Sequence, residues 1–228
     1  LTSKSIEGSG LPSDYKKAIA EYIWNGFDAG ASTINIDFSA NSIGTLESFS
    51  ISDNGSGISF DNISDTFGNF MVSLKANSFS ETGFVKGKKG KGRYSFSTFC
   101  NKATWSTIFK TKEDKFLEYN IQIKKESSQD FETFDRVISK EQKTGTKVIF
   151  EGFTEIYGDL LDNEEFEKFL ANEFGWFLYL NKERDFKILL NNNPLDYFSV
   201  IDDTDEKNIP IGDYNFKVSY IRWKEKIG

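Results

Sequence analysis

The spacing of apolar residues in the first quarter of the chain predicts one helix followed by two strands. The helix opens near residue 13, places Ile23, Trp24 and Phe27 on its apolar side, and ends at Gly30 as its C-cap. Apolar residues then alternate with polar ones, which is typical of half-buried strands. The predicted strands are 33–38 and 46–52, and the second delivers Asp53 at its carboxyl end.

Further alternation predicts a run of antiparallel strands joined by charged turns. These strands are predicted at 103–109, 116–124, 131–138 and 147–150. Before them, the pattern predicts a short helix or turn at 61–70, a mobile loop at 71–86 and the start of a helix at 93–99.

The last third of the chain predicts a long helix and further strands. Asp162 with Glu165 forms a capping-box-like start, and an apolar stripe continues to about Leu180. A hairpin at 186–201, an acidic loop at 202–206 and a strand at 214–223 follow. The order of helix, strands, loop, helix and strands predicts an α+β fold built as a two-layer sandwich.

This organisation predicts one domain at 1–200, with its first twelve residues as a flexible or exchanging arm. Residues 201–228 are predicted to be a linker and the start of a following, truncated domain of a longer protein. No stretch reaches the ~18 apolar residues of a membrane span, so we expect no membrane partner.

The composition excludes several kinds of catalytic and metal-binding site. The 228 residues include 23 Phe and 9 Tyr, which favours a packed aromatic core. They include no His, which excludes a Ser-His-Asp triad and His metal ligands here. The single Cys100 excludes an internal disulfide, is predicted to be buried, and is compatible with a cytoplasmic location. The net charge of −7 argues against a broad nucleic-acid surface.

Polar residues on the first helix form one stripe opposite its apolar side. Glu21, Asn25 and Asp28 stand at i, i+4 and i+7, within a wedge of roughly 60°. Any surface helix shows such a stripe, but Asn25 and Gly26 are poor helix formers, and violations of this kind cluster at functional sites. Together with the Asp53 segment described next, this stripe suggests a nucleotide site with a metal ligand and a base.

Glycines mark three further segments. Asp53 is followed by Gly55 and Gly57, which is typical either of a strand-ending turn or of a close backbone approach to a ligand. Gly145 and Thr146 stand directly before a strand.

The third segment is rich in both glycine and basic residues. It contains Lys86, Gly87, Lys88, Lys89, Gly90, Lys91, Gly92 and Arg93. This composition is typical of a solvated charge run, of a nucleic-acid or localisation patch, or of a loop that cradles phosphates at a helix N-terminus. The spacing does not fit a Walker A loop.

Four motifs in this order resemble the ATP-binding domain of the GHKL superfamily, which includes gyrase B, the ninety-kilodalton heat-shock chaperone, sensor histidine kinases, and the MutL and MORC proteins. The family motif Glu-x-x-x-Asn-x-x-Asp-Ala is matched from Glu21 to Ala29, and Asp-x-Gly-x-Gly from Asp53 to Gly57. The glycine-rich phosphate loop and the Gly-Thr before a strand follow, and the resemblance covers 13–150. It implies a Bergerat fold, with a mixed, mostly antiparallel sheet and helices on one face.

The resemblance also implies roles for single residues. Glu21 would activate the attacking water, Asn25 would ligate Mg²⁺, and Asp28 would orient the site or bind a water near the adenine. Asp53 would accept a hydrogen bond from the adenine amino group, beside Gly55, Gly57 and Thr146. Phosphate contacts are implied for Gly87, Gly90, Lys91, Gly92 and Arg93, and nucleotide binding is implied for Lys75, which stands where relatives often keep a Ser-x-Lys.

The implied activity is slow Mg²⁺-dependent ATP hydrolysis that drives conformational change or dimerisation. The implied partners are ATP and ADP, a second copy in the intact protein, and nucleic acid only through that intact protein. A nucleotide-gated binding module with little hydrolysis is the main alternative. Phosphotransfer of the histidine-kinase type is disfavoured, because those kinases usually carry Asn or His at the position of Glu21.

Overall fold

An eight-stranded sheet with helices packed on one face organises the fold. The computed structural model describes residues 11–63, 67, 92–128 and 130–225. Its helices are α1 (Tyr15–Asp28), α2 (Gly158–Leu161) and α3 (Glu164–Leu180). Its strands are β1 (Thr33–Ala40), β2 (Leu46–Asp53), β3 (Cys100–Lys110), β4 (Phe116–Lys124), β5 (Glu132–Ile138), β6 (Gly145–Phe153), β7 (Lys187–Leu190), β8 (Asn193–Pro194), β9 (Ile201–Ile211) and β10 (Tyr214–Trp223).

The order of strands in the sheet is β5-β4-β3-β6-β2-β1-β7-β8. Every neighbouring pair is antiparallel except β1 and β7, which are parallel. The predicted mixed, mostly antiparallel sheet is therefore confirmed. Because β6 lies between β2 and β3, it brings residues far apart in the sequence next to Asp53.

One face of the sheet carries the core. Along β3 the side chains of Ala103, Trp105, Thr107 and Phe109 are buried and alternate with more exposed residues. On β6 the ring of Phe150 is buried and packs at 5.0 Å, edge to face, against Tyr22 of α1. The helices thus cover one face, as the two-layer sandwich predicts.

Helix α1 forms where its sequence signals agree. Asp14 caps its start by accepting a hydrogen bond of 2.8 Å from the backbone N–H of Lys16. Gly30 follows the last turn with φ of +79°, the left-handed conformation that glycine adopts without strain. The helix therefore ends close to the predicted position, with Ala29 instead of Gly30 as its C-cap, and it begins two residues later than predicted.

Helix α3 corrects the prediction of its cap. The side chain of Asn163 accepts a hydrogen bond of 2.8 Å from the N–H of Phe166, so Asn163 and not Asp162 is the N-cap. Asp162 instead ends α2, where its N–H donates to the carbonyl of Gly158. This backbone bond holds Asp162 outside the extended conformation that a cap residue needs.

Two predictions near the end of the chain are wrong. Residues 202–206 lie in strand β9 and do not form a loop, because β9 pairs along its length with β10 in a separate two-stranded sheet. Residues Tyr197–Val200 form a 3₁₀ turn instead of the strand of a hairpin, because the side chain of Asp196 accepts from the N–H of Ser199.

Three further predictions concern a loop, a domain boundary and membrane-spanning segments. The predicted loop at 71–86 lies outside the described residues, and the division at residue 200 stays a prediction. None of the helices that the structure describes is long and apolar enough to cross a bilayer.

Candidate active site

Helix α1 presents Glu21, Asn25 and Asp28 as one half-buried stripe, as predicted. Its opposite side is fixed in the core, where Phe27 is 1% exposed. Trp24 adds a hydrogen bond of 2.9 Å from its indole Nε1 to a carboxylate oxygen of Glu173 on α3. The stripe is therefore carried by a helix that is held firmly from behind.

Gly26 lets Asp53 approach this helix. A methyl group at Gly26 would stand 3.1 Å from Cβ of Asp53 and 2.4 Å from Cδ1 of Ile34. A helix position without a side chain is thus required by the contact between α1 and the end of β2. The propensity cost of Gly26 has this physical reason.

The turn after Asp53 is tied to both α1 and β3. An oxygen of the Asp53 carboxylate accepts a 2.8 Å hydrogen bond from the N–H of Gly55, and the Ser56 N–H donates to the carbonyl of Ala29 at 2.9 Å. Gly57 has φ of +72°, and a methyl group there would lie 2.0 Å from the carbonyl oxygen of Ile108. No other residue fits at this position.

Thr146 lies directly opposite Asp53 in the pairing of β2 with β6. Its hydroxyl is 3.1 Å from that of Thr107 on β3, and the Thr107 oxygen also accepts a 2.9 Å hydrogen bond from the N–H of Ile58. Thr107 is 1% exposed and joins two of the motifs. The sequence analysis missed it, although a threonine among the buried alternating positions of a strand is a usable signal.

Gly92 brings the end of the basic, glycine-rich segment to helix α1. It begins a 3₁₀ helix, Gly92–Thr98, and a methyl group on it would lie 2.8 Å from Oε2 of Glu21 and 3.2 Å from Nδ2 of Asn25. The guanidinium of Arg93 stands 5.0 Å from the ring centre of Tyr94. The predicted residues Lys75, Gly87, Gly90 and Lys91 lie outside the described part of the chain.

A buried tyrosine stands beside this contact. The hydroxyl of Tyr22 donates to the carbonyl of Arg93 at 3.0 Å and accepts from the N–H of Phe96 at 3.1 Å. Burial holds the pKa of Tyr22 well above its usual range, so the phenol stays protonated. Burial also raises the pKa of the Cys100 thiol to about 12, and Cys100 is fully buried, as predicted.

The donor set is compatible with Mg²⁺. No cluster of three or more His, Cys, Asp or Glu side chains suited to a metal ion occurs among the described residues. Mg²⁺ does not need such a cluster, because it commonly binds one or two protein oxygens together with substrate phosphates and waters. The carboxamide of Asn25 and the carboxylate of Glu21 are oxygen ligands of the kind that it prefers.

Most of the first two thirds of the chain matches a known protein family. Residues 13–150 match the family model described as histidine kinase-, DNA gyrase B- and HSP90-like ATPase. No curated protein sequence is detectably similar to the chain.

Solved structures show the same fold. The ATPase region of Saccharomyces cerevisiae topoisomerase II is 16% identical, with a TM-score of 0.54 over 86% of this chain and 55% of that one. The ATPase and transducer domains of Balamuthia mandrillaris topoisomerase II are 17% identical, with a TM-score of 0.50 over 79% and 48%. The chain thus spans about half the length of these relatives.

The matched stretch is more than half of the chain. It contains the stripe on α1, the Asp53 turn, Gly92 and Thr146. The protein therefore belongs to the family of histidine kinase-, DNA gyrase B- and HSP90-like ATPases.

Proposed function

We propose that the protein binds ATP together with Mg²⁺ and hydrolyses it slowly, in order to drive a conformational change in a larger protein. The contact of Gly92 with Glu21 and Asn25 carries this proposal. This contact places the end of the basic, glycine-rich segment, whose composition suits phosphate binding, next to a carboxylate and a carboxamide. Phosphoryl transfer to water needs this combination of phosphate contacts, an oxygen ligand for a metal ion and a base for the water.

The adenine side of the site is assigned to Asp53 and its surroundings. The carboxylate of Asp53 would accept a hydrogen bond from the amino group of adenine. Gly55 and Gly57, where a methyl group would meet Ala29 and the carbonyl of Ile108, let the turn pack closely on its neighbours and so would hold Asp53 in place for the base. Thr146, held by Thr107, would bind the base or its associated water.

The phosphate side is assigned to α1 and the residues around Gly92. The side-chain oxygen of Asn25 would hold Mg²⁺, which when bound neutralises charge on the phosphates. Glu21 would accept a proton from the attacking water through its carboxylate, and Asp28 would orient the site. Arg93 and the predicted loop residues Gly87, Gly90 and Lys91 would contact phosphate, and Lys75 would also bind the nucleotide.

Further properties are proposed for the intact protein. ATP binding would favour a homodimer, further domains would follow this one, and nucleic acid would be bound only through those domains. We also assign the protein to the cytoplasm, in line with its single, buried cysteine.

Two measurements test the proposal. Calorimetric titration of AMP-PNP with Mg²⁺ should show binding that Asp53→Asn weakens at least about tenfold, since it removes a charged acceptor. Asp37→Asn makes the same change on β1 and should bind as the wild type does. Equal affinity for all three proteins would show that Asp53 does not recognise the base.

Turnover separates the ATPase from its main alternative. Glu21→Gln should keep its affinity for AMP-PNP and lose about 10²-fold or more in the rate of ATP hydrolysis, the range expected for loss of a general base. A nucleotide-gated binding module would be unaffected by this substitution. Unchanged turnover in Glu21→Gln would therefore contradict the hydrolytic role.

A further inference from the structure

We infer that Tyr22 is a positioning residue, which holds the end of the glycine-rich segment against Glu21 and Asn25 and thereby sets the affinity for nucleotide phosphates. The inference rests on the proposed function. The family motif leaves the position of Tyr22 unspecified, and its role follows from its contacts alone. Its neighbour Glu21 belongs to the site, whereas the phenol of Tyr22 points into the core and is 4% exposed.

The hydroxyl of Tyr22 bridges two backbone groups of the 3₁₀ helix Gly92–Thr98. It donates to the carbonyl of Arg93 and accepts from the N–H of Phe96. These groups are three residues apart, which is the pair that a 3₁₀ helix joins directly. The tyrosine is therefore attached to the first turn of this helix.

The attachment lies between the two contacts that Gly92 makes. Gly92 approaches Glu21, the residue before Tyr22, and Asn25, three residues after it. Since Arg93 follows Gly92 directly, a shift of Gly92 along α1 would have to stretch the bond between Tyr22 and Arg93. The hydroxyl thus fixes the register of this segment on the helix.

The residues that pack around the Tyr22 ring hold its hydroxyl, and therefore this register, in place. Tyr22 packs edge to face on Phe150 at 5.0 Å and lies 6.3 Å from the ring of Trp105. Both partners belong to the sheet, so the phenol cannot move without disturbing the core. Water does not compete for its hydrogen bonds, because the group is buried.

Tyr22→Phe tests the inference, because it removes the hydroxyl and keeps the ring. The Arg93 carbonyl and the Phe96 N–H can then pair with each other, which limits the loss of stability and releases the register. Tyr15→Phe is the matched control. It lies on the same helix and loses a single hydrogen bond, of 3.1 Å, to the carbonyl of Leu160.

The measurement is displacement of a fluorescent adenine nucleotide by AMP-PNP with Mg²⁺ and by adenosine. In Tyr22→Phe we expect the Kd of AMP-PNP to rise about three- to tenfold, the effect of one or two lost hydrogen bonds, and that of adenosine to change less than about twofold. Tyr15→Phe should change neither value. Equal weakening of both ligands would reduce Tyr22 to a structural role and overturn the inference, as would unchanged affinity for AMP-PNP.

Hydrogen exchange in the wild-type protein gives a second test that needs no variant. Saturating AMP-PNP should slow exchange of the Phe96 amide, whereas adenosine should not, because only phosphates engage the segment that Tyr22 holds. The same protection by both ligands would contradict the inference. If the wild type binds neither ligand, the proposed function fails, and the inference fails with it.

Discussion

Gly92→Ala is the substitution that most directly tests how the site is assembled. The added methyl group would lie 2.8 Å from Oε2 of Glu21 and 3.2 Å from Nδ2 of Asn25. The carboxylate must therefore retreat by roughly 0.6 Å to reach an ordinary van der Waals distance, and the carboxamide by less. Both atoms are the ends of flexible side chains, so they can move without moving the backbone.

The expected effect is a loss of turnover without a loss of folding. A misplacement of about 1 Å costs about 10²-fold in rate, so a shift of about half that size should lower kcat by about tenfold. Alanine also restricts the unfolded chain by about 0.4–1 kcal/mol, which offsets the cost of the contact. We therefore expect the free energy of unfolding to change by less than about 1 kcal/mol.

The assay combines steady-state ATP hydrolysis with urea unfolding of wild type, Gly92→Ala and Gly26→Ala. Gly26→Ala adds its methyl group beside Asp53 and Ile34, away from Glu21, so it should weaken nucleotide binding more than it lowers kcat. Unchanged kcat in Gly92→Ala would refute the assigned role of the Glu21 carboxylate. A large loss of stability would refute the inference that only side-chain ends must move.

Three other predictions concern single contacts. Gly57→Ala should destabilise the fold by about 3 kcal/mol or more, and Gly30→Ala by only about 1–2 kcal/mol, as measured by urea unfolding. Both glycines have positive φ, but only at Gly57 does the methyl group meet a backbone atom, the Ile108 oxygen; equal losses would contradict this reasoning. Thr107→Val should cost about 1–2 kcal/mol in the same assay, because it leaves the partly buried backbone N–H of Ile58 without its acceptor, and no loss would show that this N–H finds another acceptor. Two lysine partners lower the pKa of Glu206 to about 2, so the stabilisation from this ionised carboxylate is present above pH ~4.5 and is lost as the pH falls toward 2. Glu206→Gln should therefore lower the melting temperature at pH 7, have a much smaller effect near pH 2, where half of the carboxylate is still ionised, and have none well below that pH; a pH-independent effect would contradict the linkage.

The sequence correctly predicted the elements whose local signals all favour one structure. Its predictions were wrong where contacts with residues distant in the sequence determine the structure. Helix α1 has apolar spacing, a capping carboxylate and a terminal glycine that all favour the same structure. Strand β9 begins with several acidic residues, which favour a loop. Its pairing with β10 and ion pairs such as Glu206 with Lys182 stabilise it as a strand instead. No local pattern contains these contacts.

The candidate site also has features that the sequence predicts by itself and features that depend on the fold. Helical spacing alone was sufficient to put Glu21, Asn25 and Asp28 on one stripe, and the structure shows them there. That Asp53 faces Thr146 depends on the pairing of β2 with β6, which is set by the order of the strands in the sheet. Local periodicity predicts the strands but not their order, so this adjacency could only follow from family resemblance or from the structure.

The aromatic residues behind α1 explain why this helix tolerates poor helix formers on its functional stripe and directly beside it. Gly26 costs about 1 kcal/mol and Asn25 about 0.7 kcal/mol relative to alanine. Burying one large side chain contributes about 1.5–3 kcal/mol, and Trp24 lies 4.8 Å from the ring of Phe174 and 5.4 Å from that of Phe177. Phe27 is buried against α3 as well, so packing of these two side chains stabilises α1 by about 3–6 kcal/mol, which exceeds the ~1.7 kcal/mol that Asn25 and Gly26 cost. Because stability comes from the buried side, the residues of the stripe can be those that the chemistry requires.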